Sequence, residues 1–331
     1  MNRSRFRSKP DSTPAFVYSR ERISTACRSL REGLGSTTAR ILYATKACAV
    51  EPVLGMLQPL IDGFAVASPG EAELVSNSEY KATVVHLTSP GLIPVWFDAL
   101  PNLTHVAFNS LSQWERMRDI VPLAISQGLR VNPECSVAED ERYDPGRRYS
   151  KLGVPIGGVE QLNLQGSAVG LKGLHVHNAC FCRSWGPLLE TVFEITSRLG
   201  PLLRGLEWIN LGGGYVWDEK ADFGPLQEAV ELLESSYGLE VYLEPGAGIV
   251  NSAGFLIASV IDIFKSDGKN IAILDTTVNH VPEVFEYQYA PDVVEHVDDA
   301  PHDYILAGCS CLAGTSLENT RLRSRWRSGR A

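Results

Sequence analysis

Between residues 39 and 244 of this 331-residue chain, short apolar runs alternate with stretches of helical periodicity, and that rhythm leaves few folds open. Strands are predicted at 39–47, 63–67, 83–87, 105–109, 129–132, 173–177, 207–211 and 239–244. Helices are predicted at 53–60, 71–78, 92–100, 111–120, 187–199 and 222–236. A helix between successive strands carries the chain back across the sheet, so the strands run parallel, and about eight such units close a (β/α)8 barrel of ~250 residues. Ahead of it, 15–18 reads as a strand, and Ser19 caps a helix that runs through Ile23, Cys27 and Leu30. After Glu244 the rhythm changes: 253–264, 270–277 and 303–309 are β-rich with no long helix between them. The expected fold is therefore an α/β TIM barrel followed by a second, mostly antiparallel β domain, to which 15–18 can lend a strand. The expected division is a basic tail over 1–14, the barrel over 15–250, an incomplete β domain over 251–315 and an Arg-rich tail over 316–331 with no strand alternation.

Composition narrows the surroundings. No apolar run approaches the length that spans a bilayer, and the first ten residues lack the apolar core of a secretory signal, so a cytoplasmic protein with no membrane partner is expected. Seven scattered cysteines, an odd number, fit reduced thiols. The net charge of −9 gives the body no basic field for nucleic acid. Arg3, Arg5, Arg7 and Lys9 at one end, and Arg321, Arg323, Arg325, Arg327 and Arg330 at the other, read as solvated tails.

Reactive groups in such barrels sit where strands end and loops begin. Lys46 closes the run ARILYATKA at 39–47, just before Glu51-Pro52 opens a helix. Taken alone it is either a surface lysine or an amine whose pKa falls with desolvation, able to form a Schiff base with an aldehyde. Gly212-Gly213-Gly214 follows the strand at 207–211; three glycines either make a tight turn or leave amides bare to cradle a phosphate. Glu244 ends another strand beside Gly246 and Gly248, as a turn residue or as a carboxylate that keeps a ring nitrogen protonated. His175 and His177 alternate along one strand and share a face. With Cys180 and Cys182 they raise the question of a metal, but the spacing does not fit zinc motifs, and stacking of one imidazole on a flat ring is the preferred reading. Cys309 and Cys311 end a strand of the second domain, as buried small groups or, for one of them, as a proton donor.

The order of these motifs resembles the fold-type III pyridoxal phosphate (PLP) decarboxylases, with the alanine racemase-like pairing of barrel and β domain. The wording DTTVNHVPEVFEY at 275–287 and ILAGCSCLAG at 305–314 is most similar to the carboxynorspermidine (carboxyspermidine) branch of that family. The resemblance implies PLP held by Lys46, stacked on by His177, with Gly212, Gly213, Gly214 and Gly246 at its phosphate and Glu244 at its ring nitrogen. It implies Cys311 as a catalytic thiol reaching across a homodimer, Glu283 and Thr315 at the substrate, and Arg130 in a structural position or at the edge of the site. The implied activity is decarboxylation of a carboxylated polyamine in norspermidine or spermidine synthesis. Diaminopimelate as substrate and an inactive PLP-binding or partner-binding homologue are the alternatives. At 315 the family has aspartate where this chain has threonine.

Overall fold

The computed structural model describes residues 10–322, apart from 77–83, 101, 136, 139, 283, 285–290, 295 and 313–315. It separates into two units, Ser19–Ala253 and the combination of Met1–Tyr18 with Gly254–Ala331.

The larger unit begins with helix α1 (Arg20–Gly33), whose Ser19 side chain accepts a hydrogen bond from the Arg22 amide and whose Ile23, Cys27 and Leu30 form one buried stripe. Strand β2 (Arg40–Ala44) and helix α2 (Glu51–Leu57) follow, then β3 (Gly63–Val66), α3 (Pro69–Ser76), β4 (Val84–Ser89), α4 (Val95–Ala99), β5 (His105–Phe108), α5 (Leu111–Met117) and β6 (Ser126–Asn132). The remainder is β7 (Val154–Pro155), α6 (Ile156–Leu164), β8 (Gly173–Val176), α7 (Gly186–Leu203), β9 (Trp208–Asn210), α8 (Gly224–Tyr237), β10 (Glu240–Leu243) and α9 (Ala247–Val250). Eight strands pair in the order β5-β4-β3-β2-β10-β9-β8-β6, and a β5–β6 pairing closes the ring, with β7 attached to β6. Every pairing around the ring is parallel.

Three local expectations need correction. Helix α7 runs past Gly200-Pro201 to Leu203, because the barrel-facing Leu199, Leu202 and Leu203 are buried and hold its last turn. Between 132 and 173, where the sequence predicts no element, lie β7 and α6, since Pro155, Gly157 and Gly158 conceal a helix that buries Ile156, Val159 and Leu162. The segment after residue 315 contains strand β15 (Ser316–Leu322), antiparallel to β14 (His302–Gly308), so the expected strandless tail starts too early.

Side chains with a spacing of two fill the barrel. One layer joins Leu42, Ala65, Val84, Ala107, Trp208 and Tyr242. The Trp208 indole lies across two neighbouring strands, where a Cβ at Gly128 or Gly173 would stand 2.5 Å or 2.0 Å from its ring carbons. Its Nε1 donates to Ser126 Oγ at 2.8 Å. Against this layer His86 stacks on His105 at 4.1 Å between ring centroids, with Tyr242 4.4 Å from His86. Burial lowers His105 to about 4, with the Glu240 carboxylate opposing and Arg40 assisting, and burial with the nearby His105 lowers His86 further.

That layer makes the fold acid-sensitive. The unfolded chain protonates His105 near its ordinary value of 6.5, whereas the barrel keeps it neutral down to about 4. Stability is therefore full above 6.5 and falls as pH drops towards 4, by ~3 kcal/mol from this group alone. Thermal melts should lose several degrees between pH 7 and pH 5, and His105→Gln should flatten that slope. An unchanged Tm over the range in the parent chain would contradict the assignment.

The smaller unit pairs β1 (Ala15–Tyr18) with β11 (Gly254–Ile257), antiparallel. Beside them is a sheet ordered β12 (Val260–Ser266), β13 (Lys269–Leu274), β14, β15. Its outer pairings are antiparallel and its central β13–β14 pairing is parallel. Val260, Ala272, Leu274, Tyr304 and Leu306 form its core. Among the described residues, no helix is long and apolar enough to cross a membrane.

Candidate active site

The same period that packs the barrel delivers polar groups to its C-terminal end: Arg130 on β6, His175 on β8, Asn210 on β9, and Glu244 just past β10. Lys46 sits in a single 3-10 turn, Thr45–Ala47, that leaves β2. A cavity at this end is lined by Lys46, Arg130, His175, His177 and Glu244, together with Glu71 and Thr88.

Glu244 is the electrostatic centre. His175 Nε2 donates to its Oε2 at 3.1 Å and Asn210 Nδ2 to its Oε1 at 2.8 Å. Burial on its own raises the Glu244 carboxyl, but attraction to the His175 ring while that ring is still protonated, the His175 hydrogen bond and the charge of Lys46 outweigh burial and hold it well below the usual carboxylate range, so as pH rises Glu244 ionises before His175 loses its charge. Glu244 is thus ionised, and burial keeps His175 neutral against the pull of that carboxylate. A neutral His175 that donates from Nε2 leaves Nδ1 bare, and Nδ1 is buried without a partner in the protein. His177 is neutral too: burial, then the charges of Lys46 and Arg130, push it well down. Its Nδ1 accepts the Gly213 amide at 3.2 Å, so Nε2 carries the proton. Arg130 drops to about 10 through burial, opposed by Glu244, and remains a cation at neutral pH.

The glycine turn differs from its expected form. Two of its three amides are not bare: Gly212 donates to Asn210 Oδ1 at 2.8 Å, and Gly213 to His177. The turn is wedged between strand ends, since a Cβ on Gly213 would stand 2.0 Å from the Glu244 carbonyl oxygen and one on Gly214, at φ +91°, 2.0 Å from that of Ala179. Gly246 faces Ala47, 2.8 Å from where its Cβ would be, and so packs beside the lysine turn.

A family model described as pyridoxal-dependent decarboxylase, pyridoxal binding domain, matches residues 20–251. The chain belongs to the pyridoxal-dependent decarboxylases. It is 30% identical to the carboxynorspermidine/carboxyspermidine decarboxylase of Campylobacter jejuni, over 91% of this chain and 81% of that one. It is 31% identical to the carboxyaminopropylagmatine decarboxylase of Synechocystis, over 92% and 79%. The crystal structure of the C. jejuni carboxynorspermidine decarboxylase with norspermidine aligns with a TM-score of 0.84 at 26% identity, covering 96% of this chain and 86% of that one. Diaminopimelate decarboxylases also match, at 24–28% identity. This decarboxylase is accordingly a PLP-dependent carboxy-lyase.

The residues present fit PLP: a strand-end amine, an ionised buried carboxylate and a neutral imidazole border one cavity, which also holds the buried, unpartnered Thr88 hydroxyl and His175 Nδ1, and the glycine turn packs behind His177 and Glu244. The structure therefore brings together Lys46, His177 and Glu244 at the cavity, with Gly212, Gly213 and Gly246 packed against the lining residues His177, Glu244 and Ala44, and Gly214 one step away against Ala179. Cys311 lies in the other unit, exposed, three residues past β14. Glu283 and Thr315 lie outside the described residues.

Two residues of the site, Glu71 in the cavity wall and Asn210 behind it, had no forecast role. Glu71 Oε2 accepts from Thr45 Oγ1 at 2.5 Å and from the Ala67 amide at 2.9 Å, tying the lysine turn to the end of β3. Asn210 bridges Glu244 and the glycine turn. The sequence signal for Asn210 was its place on the inward face, two residues before Gly212.

Proposed function

We propose that this decarboxylase removes the α-carboxylate of carboxynorspermidine or carboxyspermidine to give norspermidine or spermidine. The observation that carries the reading is the 30% identity, over four fifths of its length, to a relative named for those two substrates. Bound PLP supplies a conjugated ring that takes up the electron pair left when the Cα–carboxylate bond breaks. Lys46 supplies the amine that anchors the cofactor at its aldehyde carbon and gives way to the substrate amine. Glu244, kept anionic by its neighbours, holds a proton at the ring nitrogen. His177 offers a neutral imidazole face, its Nδ1 occupied by Gly213, so it cannot take that proton instead. Gly212, Gly213, Gly214 and Gly246 border the phosphate. Cys311, exposed on its own chain, supplies a thiol to the site of a second copy in a homodimer and returns a proton to Cα. Glu283 and Thr315 meet the distal part of the substrate, where threonine offers a hydroxyl in place of a carboxylate.

A second reading, carboxyaminopropylagmatine as substrate, is favoured by the 31% relative. Competition assays separate the readings. CO2 release should have kcat/KM at least ~10-fold higher for carboxynorspermidine or carboxyspermidine than for carboxyaminopropylagmatine or diaminopimelate. Preference for either of the latter would move the assignment, and PLP binding without CO2 release would leave an inactive homologue.

A further inference from the structure

We infer that Asn210 is a positioning residue that couples the glycine turn to Glu244, and that its amide, uncharged and able both to give and to accept, is what that place requires. The inference deepens the proposed function and rests on its reading of Glu244.

Asn210 is fully buried at the end of β9, and both ends of its amide are committed. Oδ1 accepts the Gly212 amide at 2.8 Å. Nδ2 has two hydrogens and two acceptors within reach, Glu244 Oε1 at 2.8 Å and His86 Nδ1 at 3.0 Å. A backbone N–H can only give and an ionised carboxylate can only accept, so the orientation of the amide is fixed by its neighbours. One lone pair of Glu244 Oε1 is used by Asn210 and one of Oε2 by His175, which orients the carboxylate plane while Glu244 still borders the cavity. Because the same side chain holds Gly212, displacement of the turn and rotation of the carboxylate are linked.

An aspartate at this position has the same shape but the wrong hydrogens. Ionised, it accepts from Gly212 but meets Glu244 as a second anion at hydrogen-bond distance. Protonated, it donates to Glu244 and restores the link. Asn210→Asp is therefore a pH-dependent version of the same contact. The charged and titratable groups facing Glu244 are Lys46 beyond β2, His86 on β4, Arg130 on β6, and His175 and His177 on and after β8. Lys46, Arg130, His175 and His177 are present in both proteins and do not touch residue 210, so the ratio of variant to parent largely removes their contribution; His86, whose Nδ1 meets residue 210 at 3.0 Å, is set apart by the double variant below, in which the new carboxyl meets His86 but no second carboxylate.

The test is the Kd of PLP for apoprotein, measured by fluorescence titration from pH 6 to pH 9, with circular dichroism and thermal melts to verify folding. For Asn210→Asp, the ratio of its Kd to the parent's should rise at least ~10-fold across that range, because two adjacent buried carboxyls share one proton and lose it at raised pH. Asn210→Ala should weaken binding by on the order of tenfold at every pH, with kcat lowered as well. In the double variant Asn210→Asp with Glu244→Gln, measured against Glu244→Gln, the rise of the ratio with pH should fall below about threefold, because the pair of carboxyls is gone and only the contact with His86 remains. A flat ratio for folded Asn210→Asp, while Glu244→Gln alone impairs binding and turnover, overturns the role of Asn210 and leaves that of Glu244. Unchanged binding and turnover in Glu244→Gln overturns both. If Asn210→Ala does not fold, the Asn210→Asp profile decides.

Discussion

Lys46→Ala is expected to fold as the parent does and to lose turnover by about three orders of magnitude or more. The two halves of that expectation come from different observations. The Lys46 side chain is exposed at the rim of the cavity, and its 3-10 turn is held by others: the Thr45 hydroxyl on Glu71 and on the Ala65 carbonyl, and the Ala44 amide on the Pro245 carbonyl. Truncation at such a position changes stability by only ~0.5 kcal/mol. Chemically it removes the only lysine bordering the cavity among the described residues. Borohydride treatment with PLP should add the cofactor mass to the parent at Lys46 and leave Lys46→Ala unlabelled. Lys46→Arg, which keeps the charge near His177 and Glu244 but not the nucleophile, should behave like the alanine variant. Turnover within tenfold of the parent in either would remove Lys46 from the chemistry.

Gly213→Ala is expected to damage both the fold and the site. Its Cβ would meet the Glu244 carbonyl oxygen at 2.0 Å and carbon at 2.9 Å, and neither is the end of a side chain that can swing away. The glycine turn and the end of β10 must separate, which draws the Gly213 amide off His177 and strains both hydrogen bonds to Glu244. Overpacking of this kind costs ~3 kcal/mol, and the affinity for PLP should fall at least ~10-fold with it. Gly70→Ala is the control, since a Cβ there meets nothing within 4 Å and the residue lies in α3. It should be neutral or stabilising by up to ~1 kcal/mol. Urea melts of the two variants measure the difference, and a Gly213→Ala protein as stable as Gly70→Ala would mean the turn has room the structure does not give it.

The barrel was legible because burial on both faces writes its strands as apolar runs such as Ile41-Leu42-Tyr43, and because glycine or proline marks their ends. Helix α6 was hidden because Pro155, Gly157 and Gly158 are turn residues that tertiary packing overrides. Strand β15 was hidden because Ser316–Leu322 carries no apolar alternation and is held to β14 by backbone pairing, which composition does not record. In the site, Lys46, His177, Gly212, Gly213, Gly214 and Glu244 each end a strand beside a turn signal, which made them visible one at a time. The grip of His175 and Asn210 on Glu244 was not visible, because it depends on the register of β8 and β10 on either side of β9, and a sequence does not state register. His175 was weighed as a metal ligand or stacking partner for the same reason; it is instead the donor to Glu244.

The indole of Trp208 occupies the space that side chains at 128 and 173 would otherwise fill. These three positions, on β9, β6 and β8, behave as one unit of inheritance. A larger residue at 128 or 173 is admissible only once position 208 has shrunk, and a smaller residue at 208 leaves a hole until one of the glycines has grown. Every intermediate on that route is either overfilled or hollow, so drift at the floor of this barrel has to proceed by paired replacement.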